Sequence, residues 1–307
     1  MRVTITFHPI YEFFTSFYVF LDKGGQKRTD LGLSWVSDVK SNLSAEFLEE
    51  VSKKETKIKV AVLQYYLLSQ SFDEHDDILE LLSRIEQEEM KTLITPAYEC
   101  TEFKDQIPPN VKDVIPFLRE WHEAYFSTID DQILNNLRES VKKAFGLQQQ
   151  LDARQLVEKL TNGVILPKES ERNAILIPQY HYSPTILHEK TIHQYIYFYP
   201  VDAKPIEEGS PPIELMRTIR ALSDENRIKI LKYLAQGDRT FSDVQKFIGL
   251  AKSTVHHHLI VLRSAGLLSL VLFENQQHQY RFRKEGYMGM EQFLSSFITD
   301  NDKEIQT

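Results

Sequence analysis

The densest run of chemically versatile side chains is Lys252-Ser-Thr-Val-His-His-His258. Three consecutive histidines suggest a metal ion. Successive residues on a helix point about 100° apart, so three in a row cannot converge on one ion. The run offers hydrogen-bonding chemistry instead. Lys is a cationic partner for a phosphate or a guanine edge, Ser and Thr donate or accept, and a neutral His does both. Downstream, Arg281 and Arg283 alternate with Tyr280 and Phe282. That period-two pattern lets cations project while aromatics pack.

Other candidates carry less. His8 precedes Pro9 and reads as a cap or packing residue before it reads as a site residue. His181, His188 and His193 are separated by seven and five residues, with Glu189 among them. Neither spacing stacks ligands on one helical face as i, i+4 does. There is no Gly-rich phosphate loop, no G-x-S-x-G elbow and no H-E-x-x-H pair. The lone cysteine, Cys100, excludes an intrachain disulfide and all but excludes a thiolate metal site. No catalytic residue, metal ligand or cofactor is therefore assigned, and an enzyme is not the expectation. Carboxylate-based sites leave no local signature, however. An enzymatic or protein-interaction N-terminal domain, with the C-terminal region as a regulatory appendage, stays as the alternative.

The elements around the Lys252 run are sharply patterned. Ile213, Met216, Ile219 and Leu222 outline a helix. Ser223-Asp-Glu caps the next one, which carries Ile228, Ile230, Leu231 and Leu234. Thr240-Phe-Ser-Asp opens a short helix that Gly249 ends. The following helix, Lys252 to Ala265, turns Val255, Leu259 and Leu262 inward. Two short helices joined by a tight Gly-containing turn make a helix-turn-helix. Leu267–Phe273 and Tyr280–Arg283 then read as a two-stranded wing around a polar tip. Met288, Met290, Phe293, Leu294, Phe297 and Ile298 outline a last helix.

These residues resemble the winged helix-turn-helix of ArsR-type bacterial transcription regulators. The matching marks are A-L-S-D-x-x-R-x-x-I-L at 221–231, S-T-V-x-H-H-L at 253–259 and L-R-x-A-G-L-L at 262–268. The resemblance covers about 80 residues. The N-terminal two-thirds is more faintly similar to an uncharacterised extension found on a subset of these regulators. What the resemblance implies is a cytoplasmic regulator, a repressor in most of the family, that binds a palindromic site in double-stranded DNA as a homodimer. Lys252, Ser253, Thr254, His256 and His257 would face the major groove, with Arg281 and Arg283 reaching phosphate from the wing. His258 would be structural. Met288, Phe293, Leu294 and Phe297 would form the dimer interface, or else only cover the domain's own core. Two departures matter. The metal-sensing positions of the family lack Cys here and the last helix lacks His and Asp, so metal sensing is not expected. The wing tip is not Arg-rich, and residues 251–284 hold only five Lys and Arg against one Glu.

Composition agrees with this division of labour. The chain has 307 residues, 42 % of them apolar and 26 % charged, with a net charge of −8. Residues 212–307 hold 13 Lys and Arg against 11 Asp and Glu, and residues 1–211 hold 23 against 33. Any polyanion contact must come from the last third. The start reads as no secretory signal, and Phe13 to Leu21 is too short to span a bilayer, so no membrane partner is expected.

The Pro- and Gly-bearing stretch around 202–212 reads as a linker. The expected domains are a mostly helical α+β region at 1–203, a linker at 204–212, the winged domain at 213–300 and a tail at 301–307. Within the first, a strand is read at Val3–Phe7 and an amphipathic helix from Pro9 through Leu21. Helices are also read at 44–54, 58–69, 75–90, 111–126, 129–145 and 150–160, and strands at 173–178 and 193–199. The size of the N-terminal region suggests control by a small-molecule or protein effector.

Overall fold

The computed structural model describes residues 1–73, 75–99, 106–203, 209–274 and 277–299. In chain order the elements are β1 (Val3–Ile5), α1 (Pro9–Leu21), α2 (Gly32–Lys40), α3 (Ala45–Glu50), α4 (Lys54–Leu68), α5 (Ile78–Gln87), α6 (Met90–Ile94), α7 (Ile115–Ala124), α8 (Asp131–Gln148), α9 (Ala153–Leu160), β2 (Val164–Ile165), β3 (Asn173–Gln179), β4 (Leu187–Lys190) and β5 (Gln194–Pro200). They continue with α10 (Ile213–Leu222), α11 (Glu225–Leu234), β6 (Arg239–Thr240), α12 (Phe241–Ile248), α13 (Lys252–Ser264), β7 (Leu268–Val271), β8 (Gln279–Phe282) and α14 (Lys284–Ile298). The protein is mainly helical with two small sheets, as its sequence patterning implies. Among the described residues, no helix is long and apolar enough to cross a membrane.

Two units emerge. The first comprises Met1–Phe145 and Arg172–Ala203. The second takes Gly146–Glu171 and the described residues from 209 onward. This differs from the expected division, which placed 146–171 with the N-terminal domain. Residues 204–208 of the expected linker, and the tail 301–307, lie outside the described residues.

The first unit is α+β. Its sheet has the order β1-β3-β5-β4, with β1, β3 and β5 parallel and β4 antiparallel to β5. The two central strands, NAILIPQ and QYIYFYP, are buried over most of their length. That accounts for their continuous apolar reading, since central parallel strands are covered on both faces. Helix α1 departs from expectation. Its apolar stripe predicts a helix with one wet face, yet eleven of its thirteen residues are buried, Glu12, Thr15 and Ser16 among them. A helix that dry must satisfy its own polar groups. Ser16 Oγ donates to the Phe13 carbonyl and accepts from Trp121 Nε1 at 3.0 Å. Glu12 accepts the backbone N–H groups of Tyr180 and His181, and His181 Nδ1 lies 2.5 Å from its carboxylate. His181 Nε2 in turn meets the Tyr125 hydroxyl at 2.6 Å. Around this line Phe17, Phe20, Trp35, Phe47 and Trp121 pack with ring centroids 4.9–6.3 Å apart.

The second unit is the winged helix-turn-helix, enlarged by α9 and β2. Its sheet has the order β2-β7-β8-β6. Val164 and Ile165 pair in parallel with Leu270 and Val271, so the wing's β7 gains a neighbour from more than 100 residues upstream. Asp152 opens α9 with a capping box completed by Gln155. At the other end Arg263 donates to the carbonyls of Thr161 and Asn162, at 3.2 and 2.6 Å. These are carbonyls that a helix C-terminus leaves without partners. Gly163 follows at φ +107°, and a Cβ there would press on Ser269, Arg283 and the Leu268 carbonyl. The helical core gathers Ala221, Ile230, Leu231, Leu234, Val244, Val255, Leu259, Leu262, Leu267 and Leu268.

Candidate nucleic-acid interface

The resemblance marks have physical work to do in the second unit. Asp224 caps α11 by accepting the Arg227 N–H at 3.0 Å. Arg227 reaches back to the carbonyls of Ala221 and Arg220, at 2.6 and 2.8 Å, and so caps the end of α10. One Asp and one Arg thus fix the corner between two helices. Thr240 and Asp243 form a capping box at the start of α12, and Gly249 closes it at φ +71°. These caps set the turn from which α13 departs.

Along α13, Val255, His258, Leu259 and Leu262 are buried. Lys252, Ser253, Thr254, His256 and His257 are all exposed. The helix begins at Ala251 without a side-chain cap. Its first-turn N–H donors and the positive end of its dipole are therefore left for an outside acceptor, next to the Lys252 ammonium. His258 packs toward the α11 corner, with Nδ1 3.9 Å from Asp224 Oδ1 and no hydrogen-bond partner. Burial holds its pKa below the ordinary histidine value against the pull of the Asp224 charge.

The wing cations behave differently. Arg281 lies exposed on β8, but its guanidinium makes a two-pronged ion pair with Asp238 at 2.8 and 2.7 Å. That contact holds Asp238 below the usual carboxylate range. Arg283 corrects the expectation that it reaches phosphate. Strand β8 ends at Phe282, and the alternation that would carry Arg283 outward ends with it. Its guanidinium instead turns toward the α9–β2 turn, bonding Asn162 Oδ1 at 2.7 Å and the Gly266 carbonyl at 3.2 Å. Burial lowers its pKa, the mark of a structural rather than a solvated cation. Asp238, Asn162 and Arg263 escape sequence reading because their partners lie 43 to 121 residues away. Only the Asn162-Gly163 pair, a turn signal, hinted at them.

Helix α14 has no buried residue. Met288 is 55 % exposed, and Leu294, Phe297, Tyr287 and Ile298 are exposed too, while Phe293 is half-buried. On α10, Ile213 and Ile219 are likewise exposed. The first and last helices of the winged unit therefore carry apolar surface that the described residues leave uncovered.

The histidines singled out in the first unit do not converge. His181 is buried on Glu12, His188 stacks on Tyr197 from β4, and His193 sits in the β4–β5 turn. Among the described residues, no group of three or more His, Cys, Asp or Glu side chains is placed to hold a metal ion.

Comparison with known proteins returns the same segment. Residues 224–269 match the family described as bacterial regulatory protein, arsR family. The transcriptional repressor SdpR of Bacillus subtilis (strain 168) is 38 % identical over 50 residues, 16 % of this chain and 56 % of that repressor. The chain thus spans little more than half the length of this curated relative. An ArsR-like transcriptional regulator from Rhodococcus sp. RHA1 is similar at 24 % identity over 30 % of this chain and 87 % of its own, with a TM-score of 0.27. A homodimeric winged helix-turn-helix DNA-binding domain from Mycobacterium bovis, solved by NMR, is similar at 25 % identity over 31 % and 86 %, with a TM-score of 0.24. Residues 224–269 are an ArsR-family helix-turn-helix domain.

Proposed function

We propose that the protein is a sequence-specific DNA-binding transcription regulator that acts as a homodimer and represses by occupying a palindromic operator. The observation that carries this reading is α13. Five polar side chains stand in solvent on one helix whose N-terminus is uncapped, inside a helix-turn-helix that family comparison identifies independently. Such a helix enters the major groove with its N-terminal residues on base edges. Lys252 supplies phosphate or guanine contact; Ser253, Thr254, His256 and His257 supply the short-range reading. Repression is the role named for SdpR, the relative that shares this segment.

The dimer reading rests on the apolar faces of α10 and α14. Met288, Leu294 and Phe297, with Phe293 beside them, are covered by the same face of a second copy, as a two-fold interface requires. Two recognition helices then meet half-sites about one helical turn apart. The first unit senses an effector, which alters operator affinity. The N-terminal region has no part in DNA contact, since its charge is strongly negative.

Binding-site selection with the full-length chain at ~150 mM salt tests this reading. The expected result is an inverted repeat bound by two copies. Uniform, weak and salt-sensitive binding to every duplex would overturn it.

A further inference from the structure

Three separated stretches of chain meet at one corner of the second unit: the end of α9, the end of α13 and the start of α14. The end of α9 arrives on a segment that braces itself. Arg154 on α9 holds the return loop through the carbonyls of Pro167, Lys168 and Ser170. Thr161 is fully buried, and its Oγ1 accepts the Val164 N–H at 3.1 Å, which ties the helix to β2. Between them Asn162 takes φ +56°, a left-handed conformation that Asn tolerates better than most side chains.

Both neighbouring helices are fastened to this turn. Arg263, in the last turn of α13, donates to the Thr161 and Asn162 carbonyls. Arg283 is the N-cap residue of α14 and donates to Asn162 Oδ1 and to the Gly266 carbonyl. Asn162 therefore holds α13 with its backbone and α14 with its side chain. The corner is also tight. A Cβ on Gly266 would lie 3.0 Å from the Asn162 side-chain amide, and one on Gly286 would collide with the Gly266 carbonyl oxygen. Segments packed this closely shift only by breaking the bonds between them.

We propose that Asn162 and Arg263 are positioning residues for DNA reading: through them residues 146–171 fix the angle between α13 and α14, and that angle sets the half-site spacing the dimer accepts. The inference rests on the dimeric reading given above. Helix α14 lies on the apolar face shared by the two copies, so any rotation of α13 against α14 is repeated across the two-fold axis. One base pair of spacer turns a half-site by about 35° around the duplex. A rigid corner rejects that change, and a loosened one follows it.

The test is titration of the full-length chain on its selected operator and on duplexes with one base pair added to or removed from the spacer, at ~150 mM salt and well below the melting temperature. The parent loses about tenfold or more in affinity for either change. Arg263→Leu, which cuts the bonds from α13, reduces that penalty to about threefold. Asn162→Gly keeps the left-handed turn and its backbone bonds, loses the bond to Arg283, and at least halves the penalty. Lys252→Ala weakens all three duplexes alike and keeps the parent's penalty. A corner that only stabilises the fold lowers melting and the folded fraction, which affects the three duplexes equally. A penalty equal to the parent's in Asn162→Gly, or in folded Arg263→Leu, would overturn the proposal. A parent chain that selects no inverted repeat would overturn the dimeric reading and this inference with it.

Discussion

The outer face of α13 and the cations of the wing were drawn from the same chemical vocabulary, yet the fold uses them in opposite ways. Lys252, His256 and His257 stand in solvent. Arg281 is tied to Asp238, and Arg283 is folded into the α9–β2 turn. The difference follows from what lies next to each element. Helix α13 buries one stripe on the core and leaves Lys252, Ser253, Thr254, His256 and His257 exposed on its other side. The wing is flanked by a strand and a turn from residues 146–171, where Arg263 donates to the Thr161 and Asn162 carbonyls and Arg283 to the Asn162 side chain. A guanidinium is well suited to both tasks, since its fork fits carbonyls and phosphates alike. Charge counting cannot tell which task it performs.

The contrast breaks most forcefully at the seam that occupies Arg283. A Cβ at Gly286 would collide with the Gly266 carbonyl oxygen, which is backbone and cannot swing aside. Gly286→Ala should cost about 3 kcal/mol, seen as a lowered melting temperature of the winged unit. Arg283→Ala leaves the Gly266 carbonyl and Asn162 without a charged donor and should cost about 2 kcal/mol in the same measurement. If Arg283 were a phosphate ligand instead, melting would be unchanged and only DNA affinity would fall.

The recognition face should give the reverse pattern. Lys252→Ala and His256→Ala should each leave melting within about 0.5 kcal/mol of the parent. Each should weaken operator binding by about tenfold. A smaller effect sharpens the view of Arg281. Asp238→Asn removes its carboxylate partner, and the freed guanidinium should steepen the logarithmic salt dependence of binding by about one unit per protomer. An unchanged slope would mean that Arg281 does not face phosphate even when released.

The smallest effect concerns pH. His258 has a folded-state pKa below its unfolded value of 6.5. The unfolded chain therefore binds the proton more readily, and stability present above about pH 6.5 is lost as pH falls from there through the lower folded-state value. His258→Gln should flatten this shallow decline in the melting of the winged unit. Asp224 titrates far lower and does not contribute in this window.

The helix-turn-helix was legible because its determinants are local. Asp224, Thr240 and Gly249 cap or end helices within a few residues of themselves, and the inward set Val255, Leu259 and Leu262 shows the helical period. What was missed depends on distance. Glu12 sits on a stripe that reads as solvated, and only its partners at 180 and 181 explain why it is dry. Strands β2 and β6 have two residues each, too few to show a period. Strand β4 reads Leu-His-Glu-Lys, an edge strand without an alternating apolar face. Residues 146–171 look like more of the helical N-terminal region, because nothing in α9 itself names the sheet that β2 will join. Helix α2 carries its buried apolar residues, Val36 and Val39, too sparsely to stand out.

The central claim is that α13, and not the wing arginines, reads the DNA. The most direct test is the affinity ratio between the selected operator and a scrambled duplex of equal length, measured at ~150 mM salt for the parent chain, for Lys252→Ala with His256→Ala, and for Arg281→Ala. The account predicts that the α13 double variant brings the ratio close to one while Arg281→Ala keeps it within about twofold of the parent. A ratio that survives the α13 changes and collapses with Arg281→Ala would contradict it.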